Sequence, residues 1–117
     1  MGSLKYDRAM LEFEDRLLTH LQIVIVQKFR RSESFLMSWL EGEGQHGARN
    51  ALWMTPAVPT YFKFFGSRVP AIDEDWLRRL AASAESSTGL VITGQDGRPF
   101  HAPAVRQPAR VLLRSVS

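Results

Sequence analysis

Hydrophobic and polar positions alternate at the start of the chain. The alternation runs over residues 4–6 and again over residues 10–13, and Asp7-Arg8-Ala9 lies between the two runs. Two short alternating segments separated by a few polar residues are typical of a β-hairpin. The sequence therefore predicts a hairpin before residue 14.

The spacing of apolar residues changes between Glu14 and Arg31. They now recur at every third or fourth position, as on one face of a helix. Asp15 lies where an acidic side chain caps a helix or complements its dipole. The apolar face of this predicted first helix comprises Leu17, Leu18, Leu21, Val24, Ile25 and Phe29.

A second helix is predicted from its end signals. Asp73 stands at the N-cap position, ahead of the acidic residues Glu74 and Asp75, and Gly89 stands where a left-handed residue ends a helix. The run Leu90–Thr93 that follows predicts a last short strand.

Three further strands are predicted between the helices, over Ser34–Leu40, Asn50–Thr55 and Thr60–Phe65. The Gly-rich segment Glu41–Gly47 is typical of a hairpin loop, so we expect an antiparallel meander. The predicted fold is a small α+β domain over residues 1–93, in the order ββαβββαβ, with the antiparallel sheet packed on two helices.

The third of these strands is apolar on both sides. Phe62 and Phe64 cannot share a face with Tyr61 and Phe65, and only one face can meet the helices. We expect the other face to be covered by a second copy, giving a homo-oligomer such as a homodimer, or by a partner. Aromatic sheets also stack unpaired bases, but only Lys63 interleaves these aromatics, so self-association is favoured. The candidate interface residues are Trp39, Trp53, Tyr61 and Phe65.

The charge of the chain is unevenly distributed. The 117 residues carry a net charge of +3, yet residues 1–93 contain eleven basic and eleven acidic side chains. The excess lies in residues 94–117, which also hold three prolines, so we expect a mobile basic tail. Such a tail would bind nucleic acid only weakly. The candidate nucleic-acid-binding residues are Arg30, Arg31, Arg98, Arg106, Arg110 and Arg114.

The residue types exclude several kinds of chemistry. The chain has no cysteine, and its histidines, His20, His46 and His101, share no metal-ligand spacing, so no metal site or cofactor is expected. We expect His20 on the helix surface or at its boundary. No apolar run is long enough to span a membrane, and the N-terminal residues Met1–Lys5 lack the apolar stretch of a secretory signal, so we expect a cytoplasmic protein with no membrane contact. The sequence favours a non-catalytic interaction module.

Several short segments together carry a resemblance to a known family. They are Gly2–Asp7, Phe13–Gln22, Arg30–Phe35, Ser38-Trp39, Leu52-Trp53, Tyr61–Gly66 and Trp76-Leu77. Residues 2–93 resemble a family of short bacterial proteins of unknown function that are often labelled ATP-dependent DNA ligases.

The resemblance leaves an alternative function open. Lys5-Tyr6-Asp7 is similar to the Lys-x-Asp-Gly motif in which DNA ligases adenylate the lysine, with Arg8 standing in place of the glycine. The resemblance thus implies Lys5 as a candidate catalytic residue and ATP with Mg²⁺ as its cofactors. It also implies an accessory protein associated with DNA as a related possibility.

Overall fold

The computed structural model describes residues 1–42 and 47–102. Its strands and helices follow the predicted order, with one further short strand at the end of the described chain. They are β1 (Gly2–Tyr6), β2 (Ala9–Phe13), α1 (Asp15–Arg30), β3 (Phe35–Glu41), β4 (Ala48–Met54), β5 (Thr60–Lys63), α2 (Glu74–Glu85), β6 (Leu90–Val91) and β7 (His101–Ala102). The α+β class is confirmed.

The strands form two sheets. Sheet 1 has the order β2-β1-β5 and is antiparallel. Sheet 2 has the order β4-β3-β6, and β7 also pairs with β3; β6 and β7 both run parallel to β3. The predicted meander is therefore wrong at its last strand, because β5 pairs with β1 and not with β4.

The connection between β4 and β5 explains this change of partner. It contains Pro56 and Pro59, which lack the N–H groups that a continuing ladder needs. The N–H of Thr55 leaves the ladder and donates to the hydroxyl of Tyr6 on β1, at 2.8 Å. The chain thus crosses to sheet 1 as β4 ends.

The predicted hairpin is confirmed. Gly2 pairs with Phe13 at one end of the β1–β2 ladder and Tyr6 pairs with Ala9 at the other. Asp7, in the turn, has a φ of 54°. This is the left-handed region, which aspartate tolerates better than most residues because its short side chain can bond locally.

The inner faces of both sheets and the apolar faces of the helices share one core. Phe13 of sheet 1 lies edge-on to Trp39 of sheet 2, with ring centroids 6.2 Å apart. Trp76 of α2 is buried, and its indole N–H donates to the carbonyl of Thr93 at 3.0 Å. The core therefore holds the two sheets in fixed positions, with their outer faces left to solvent.

The start of α2 follows its sequence signal. The Asp73 carboxylate accepts the N–H groups of Asp75 and Trp76, each at 3.1 Å. Gly89 adopts a φ of 80° and lies against the carbonyl of Leu36, where a Cβ would collide. The predicted N-cap at Asp73 is confirmed, whereas the predicted cap at Gly89 is wrong: the C-cap is Ser86, and Gly89 lies three residues beyond it, directly before β6.

The folded domain extends beyond the predicted boundary at residue 93. Residues 94–98 form a turn, and Thr93 bridges to Pro99. The ring of Phe100 lies 5.8 Å from that of Phe13, and β7 then joins sheet 2 with Ala102 buried. Residues 94–102 thus belong to the fold, because Phe100 and Ala102 supply apolar contacts. The remainder of the predicted tail, residues 103–117, lies outside the described residues.

Candidate interaction surfaces

The outer face of sheet 1 combines exposed apolar and basic side chains. In the strand register, Lys5 on β1 lies between Met10 on β2 and Tyr61 on β5. Directly paired residues of antiparallel strands have their side chains on the same face. Tyr61 is 63% exposed, which is unusual for a large aromatic residue in the middle of a ladder.

The next row of this face carries opposite charges. Ser3 lies between Glu12 on β2 and Lys63 on β5. A surface depression of about 580 Å³ runs along this end of the sheet. Its lining includes Met1, Ser3, Met10, Glu12, Lys63, Phe64 and Phe65.

Phe65 stands at the edge of this depression and is 85% exposed. Its backbone is nevertheless fixed, because the Asp15 carboxylate accepts the N–H groups of Phe65 at 2.9 Å and Gly66 at 2.8 Å. These bonds, the Gly66 one first, lower the pKa of Asp15 below its ordinary value. Asp15 therefore does not cap its own helix, where the N-cap residue is Glu14 without a side-chain bond. It anchors the segment that follows β5.

The outer face of sheet 2 differs in charge. Trp53 on β4 pairs with Leu36 on β3, and Ser38 lies between Ala51 and Val91. Trp53 is 60% exposed, and Leu36 and Val91 are each more than a third exposed. No charged side chain stands in these two rows, so the centre of this face is apolar and neutral, and the charged Arg49 lies at its far end, paired with Leu40.

The four predicted interface aromatics do not form one surface. Tyr61 and Phe65 lie on the outer side of sheet 1, and Trp53 lies on the outer face of sheet 2. Trp39 is 6% exposed and packs in the core, so its place at an interface is wrong. The alternation of Trp39 with Phe35 and Met37 in the sequence indicated its burial, since these three residues share the inner face of β3.

A cluster of four charged residues ties α1 to α2. The ammonium of Lys28, itself buried, lies 2.8 Å from the Glu85 carboxylate and 3.0 Å from that of Glu33. Arg31 lies 2.9 Å from the same Glu85. The hydrogen bond to Glu85 raises the pKa of Lys28, and the same bond lowers the pKa of Glu85. The cluster joins the two helices near their C-terminal ends.

The candidate nucleic-acid arginines are dispersed. The guanidinium of Arg31 donates a hydrogen bond to the carboxylate of Glu85, while the neighbouring Arg30 is exposed at the end of α1. Arg98 is exposed in the turn before β7, on a separate part of the domain. Arg106, Arg110 and Arg114 lie outside the described residues. The described arginines of this set therefore form no common patch.

His20 is fully buried, contrary to the surface position expected for it. Its Nδ1 lies 2.7 Å from the Arg16 carbonyl, and its Nε2 lies 3.0 Å from the N of Asp73. Since Nε2 must accept the Asp73 N–H, Nδ1 carries the proton and donates. The ring also lies 4.5 Å from that of Trp76. His20 thus joins α1 to the start of α2, and its spacing from Leu17 and Val24 placed it on the buried stripe.

Lys5, the candidate catalytic lysine, is exposed on β1 between Met10 and Tyr61. Within residues 1–42 and 47–102, Lys5 forms no ion pair or side-chain hydrogen bond. The same ranges contain no group of three or more His, Cys, Asp or Glu side chains placed to hold a metal ion. Neither described helix is long and apolar enough to cross a membrane.

Comparison with known proteins identifies the family of the domain. No curated protein and no solved structure matches the chain. A family model described as a domain of unknown function, DUF7882, matches residues 1–95. That match takes in every described helix, both sheets except β7, and the two outer faces. The chain therefore belongs to the DUF7882 family of domains of unknown function.

Proposed function

We propose that the protein is an interaction module that self-associates through the outer face of sheet 2. The observation that carries this proposal is the 60% exposure of Trp53 beside Leu36 on a face whose central rows have no charge. Contiguous exposed apolar residues on a small domain mark interaction sites. Tryptophan is also among the residues that contribute most to binding energy at interfaces.

The neutrality of this face favours a second copy as the partner. A two-fold axis brings the same patch of both protomers together, so identical charges near the axis would oppose each other. Ala51, Trp53, Leu36 and Val91 present no such conflict, whereas sheet 1 carries Lys5 in its central row. Arg49, at the far end of β4, is the charged residue of this face.

The surface beside Trp53 also supplies a concavity. A groove of about 240 Å³ lies between the end of α2 and sheet 2, and its lining includes Trp53, Leu36 and the paired side chains of Lys28 and Glu85, whose charges are opposite. In a two-fold arrangement the groove of each protomer takes an apolar anchor of the other. Anchors that fill pockets near the centre of an interface dominate its binding energy.

The test measures the mass of the protein in solution against concentration. Wild-type protein should rise from the 13.3 kDa of one chain toward twice that mass, and Trp53→Glu should remain monomeric. Tyr61→Glu is the matched control, because Tyr61 is equally exposed but lies on sheet 1. A wild-type chain that stays monomeric at every concentration, or a Tyr61→Glu variant that dissociates while Trp53→Glu does not, contradicts the proposal.

A further inference from the structure

The outer face of sheet 1 places two exposed aromatic rings beside two lysines. Tyr61 lies directly opposite Lys5 in the ladder, and Lys63 follows Tyr61 on the same face of β5. Phe65 comes next and borders the same depression as Lys63. Aromatic and basic residues therefore alternate along one face of β5. The sequence alone placed only Lys63 among these aromatic residues, and the strand pairing adds Lys5.

The charge of this face is available to a ligand. Neither Lys5 nor Lys63 forms an ion pair with any described carboxylate. Glu12 shares a row with Lys63 but lies two strands away, about 10 Å across the sheet. The Asp15 carboxylate near Phe65 is occupied by two backbone N–H groups. The face therefore favours an anionic ligand with flat apolar groups.

We propose that the outer face of sheet 1 binds single-stranded nucleic acid. Unpaired bases stack on Tyr61 and Phe65, and the phosphates that join them lie near Lys5 and Lys63. Exposed aromatic side chains on a sheet bind bases through their rings, and neighbouring cations follow the backbone. A duplex keeps its bases stacked on one another, so this face selects the single strand.

The backbone around Phe65 is arranged before any ligand binds. Asp15 belongs to α1, and its two hydrogen bonds hold Phe65 and Gly66 against the helix while the Phe65 side chain faces solvent. Gly2 is packed closely at the same point, since a Cβ there would lie 2.8 Å from the Asp15 Oδ1 atom. A preorganised segment loses less conformational entropy on binding. This positioning explains why a large exposed ring is held at the edge of the depression.

The face proposed to bind nucleic acid, on sheet 1, is separate from the face proposed to bind a second copy, on sheet 2. Tyr61 and Phe65 belong to sheet 1, and Trp53 belongs to sheet 2, on the other side of the common core. Substitutions on one face should leave the other activity unchanged. Each proposal can therefore fail while the other holds.

The test uses the full chain and a fluorescently labelled thymidine strand of about eight nucleotides, followed by anisotropy at about 50 mM salt. Tyr61→Ala and Phe65→Ala should each weaken binding about tenfold. Val26→Ala, at an exposed apolar residue of α1 outside both outer faces, is the control and should bind as wild type does. Lys5→Ala and Lys63→Ala should each reduce the slope of log affinity against log salt by about 0.7.

The same titration with a duplex of equal length separates this proposal from binding by the arginines of residues 94–117. Binding of the single strand in preference to the duplex, together with loss in Tyr61→Ala and Phe65→Ala, supports the proposal. Equal affinity for duplex and single strand with no effect of either substitution overturns it and assigns the contact to the arginines of residues 94–117. Failure of the wild-type chain to bind the strand at this salt concentration also overturns it.

Discussion

At the scale of single residues, the same side chain has opposite roles at two positions. Phe100 is half-buried and packs on Phe13, whereas Phe65 is 85% exposed and has its backbone held by Asp15. Burial of apolar area stabilises the fold, so only the first ring contributes through packing. The exposed ring is available for binding.

Truncation of these two rings should therefore have different effects. Phe100→Ala should lower the free energy of unfolding by about 2 kcal/mol, less than the loss for a fully buried phenylalanine. Phe65→Ala should change it by less than about 0.5 kcal/mol. Urea unfolding measures both. Equal losses in the two variants would show that Phe65 is part of the core in solution.

Two glycines with similar backbone angles offer a second comparison. Gly89 has a φ of 80° and Gly97 a φ of 84°, but a Cβ on Gly89 would collide with the Leu36 carbonyl while one on Gly97 meets nothing within 4 Å. Gly97→Ala should cost about 1 kcal/mol for the left-handed backbone alone. Gly89→Ala should cost at least twice as much, because β3 must also shift. Thermal unfolding distinguishes them, and similar melting temperatures would contradict the close approach of Gly89 to β3.

The sequence could locate buried residues only where their spacing was followed through. His20 and Lys28 lie on the apolar face of α1. Their helical spacing from Leu17, Leu21 and Val24 therefore indicated burial, although their side chains are polar. Trp39 shares the parity of Phe35 and Met37. What the sequence could not show is the partner of each buried polar atom, because Asp73 and Glu85 are more than fifty residues away from His20 and Lys28.

At the scale of elements, two carboxylate contacts fix the ends of α1. Asp15 at its start binds the segment after β5, and Glu85 binds Lys28 in its last turn. Hydrogen bonds to the ionised carboxylates lower the pKa of Asp15, Asp73 and Glu85 below their ordinary values of 3.8, 3.8 and 4.5. Their contribution to stability is therefore complete above those ordinary values and is lost as the pH falls through the lowered ones.

Acid should consequently destabilise the protein through these contacts. The urea midpoint of the wild type should fall as the pH decreases below about 4.5, because protonation weakens the hydrogen bonds that these carboxylates accept in the folded state. The Asp15→Asn variant carries an amide that does not ionise at this position, so its urea midpoint should fall less over the same pH range. The comparison is made from pH 6 to pH 3 in about 0.1 M salt. Parallel curves for the two proteins would show that the Asp15 anchor does not contribute.

Helices and strands differ in how far the sequence determines them. The two helices, the hairpin and the Asp73 N-cap depend on neighbouring residues, and each is found where the pattern predicts it. The partner of β5 depends on contacts between residues 3–6 and 60–63, which alternation cannot specify. Alternation shows which side chains share a face of a strand, but not which strand lies beside it.

At the scale of the whole molecule, two outer faces of opposite character flank one core. Trp53 lies on the apolar face of sheet 2, which is suited to a second copy. Tyr61 and Lys5 lie on the basic face of sheet 1, which is suited to single-stranded nucleic acid. The four aromatics that the sequence grouped as one interface are thus divided among two surfaces and the core. The separation of Tyr61 and Phe65 from Trp53 follows from the pairing of β5 with β1, and the burial of Trp39 follows from its place on the inner face of β3.

The central claim is that Trp53 and the face around it join two copies of the chain. Sedimentation equilibrium of the wild type, Trp53→Glu and Tyr61→Glu tests it most directly. We predict a concentration-dependent rise toward twice the 13.3 kDa of one chain for the wild type and for Tyr61→Glu, and the constant mass of one chain for Trp53→Glu. A constant single-chain mass for the wild type, or an unchanged dimer in Trp53→Glu, would contradict the account.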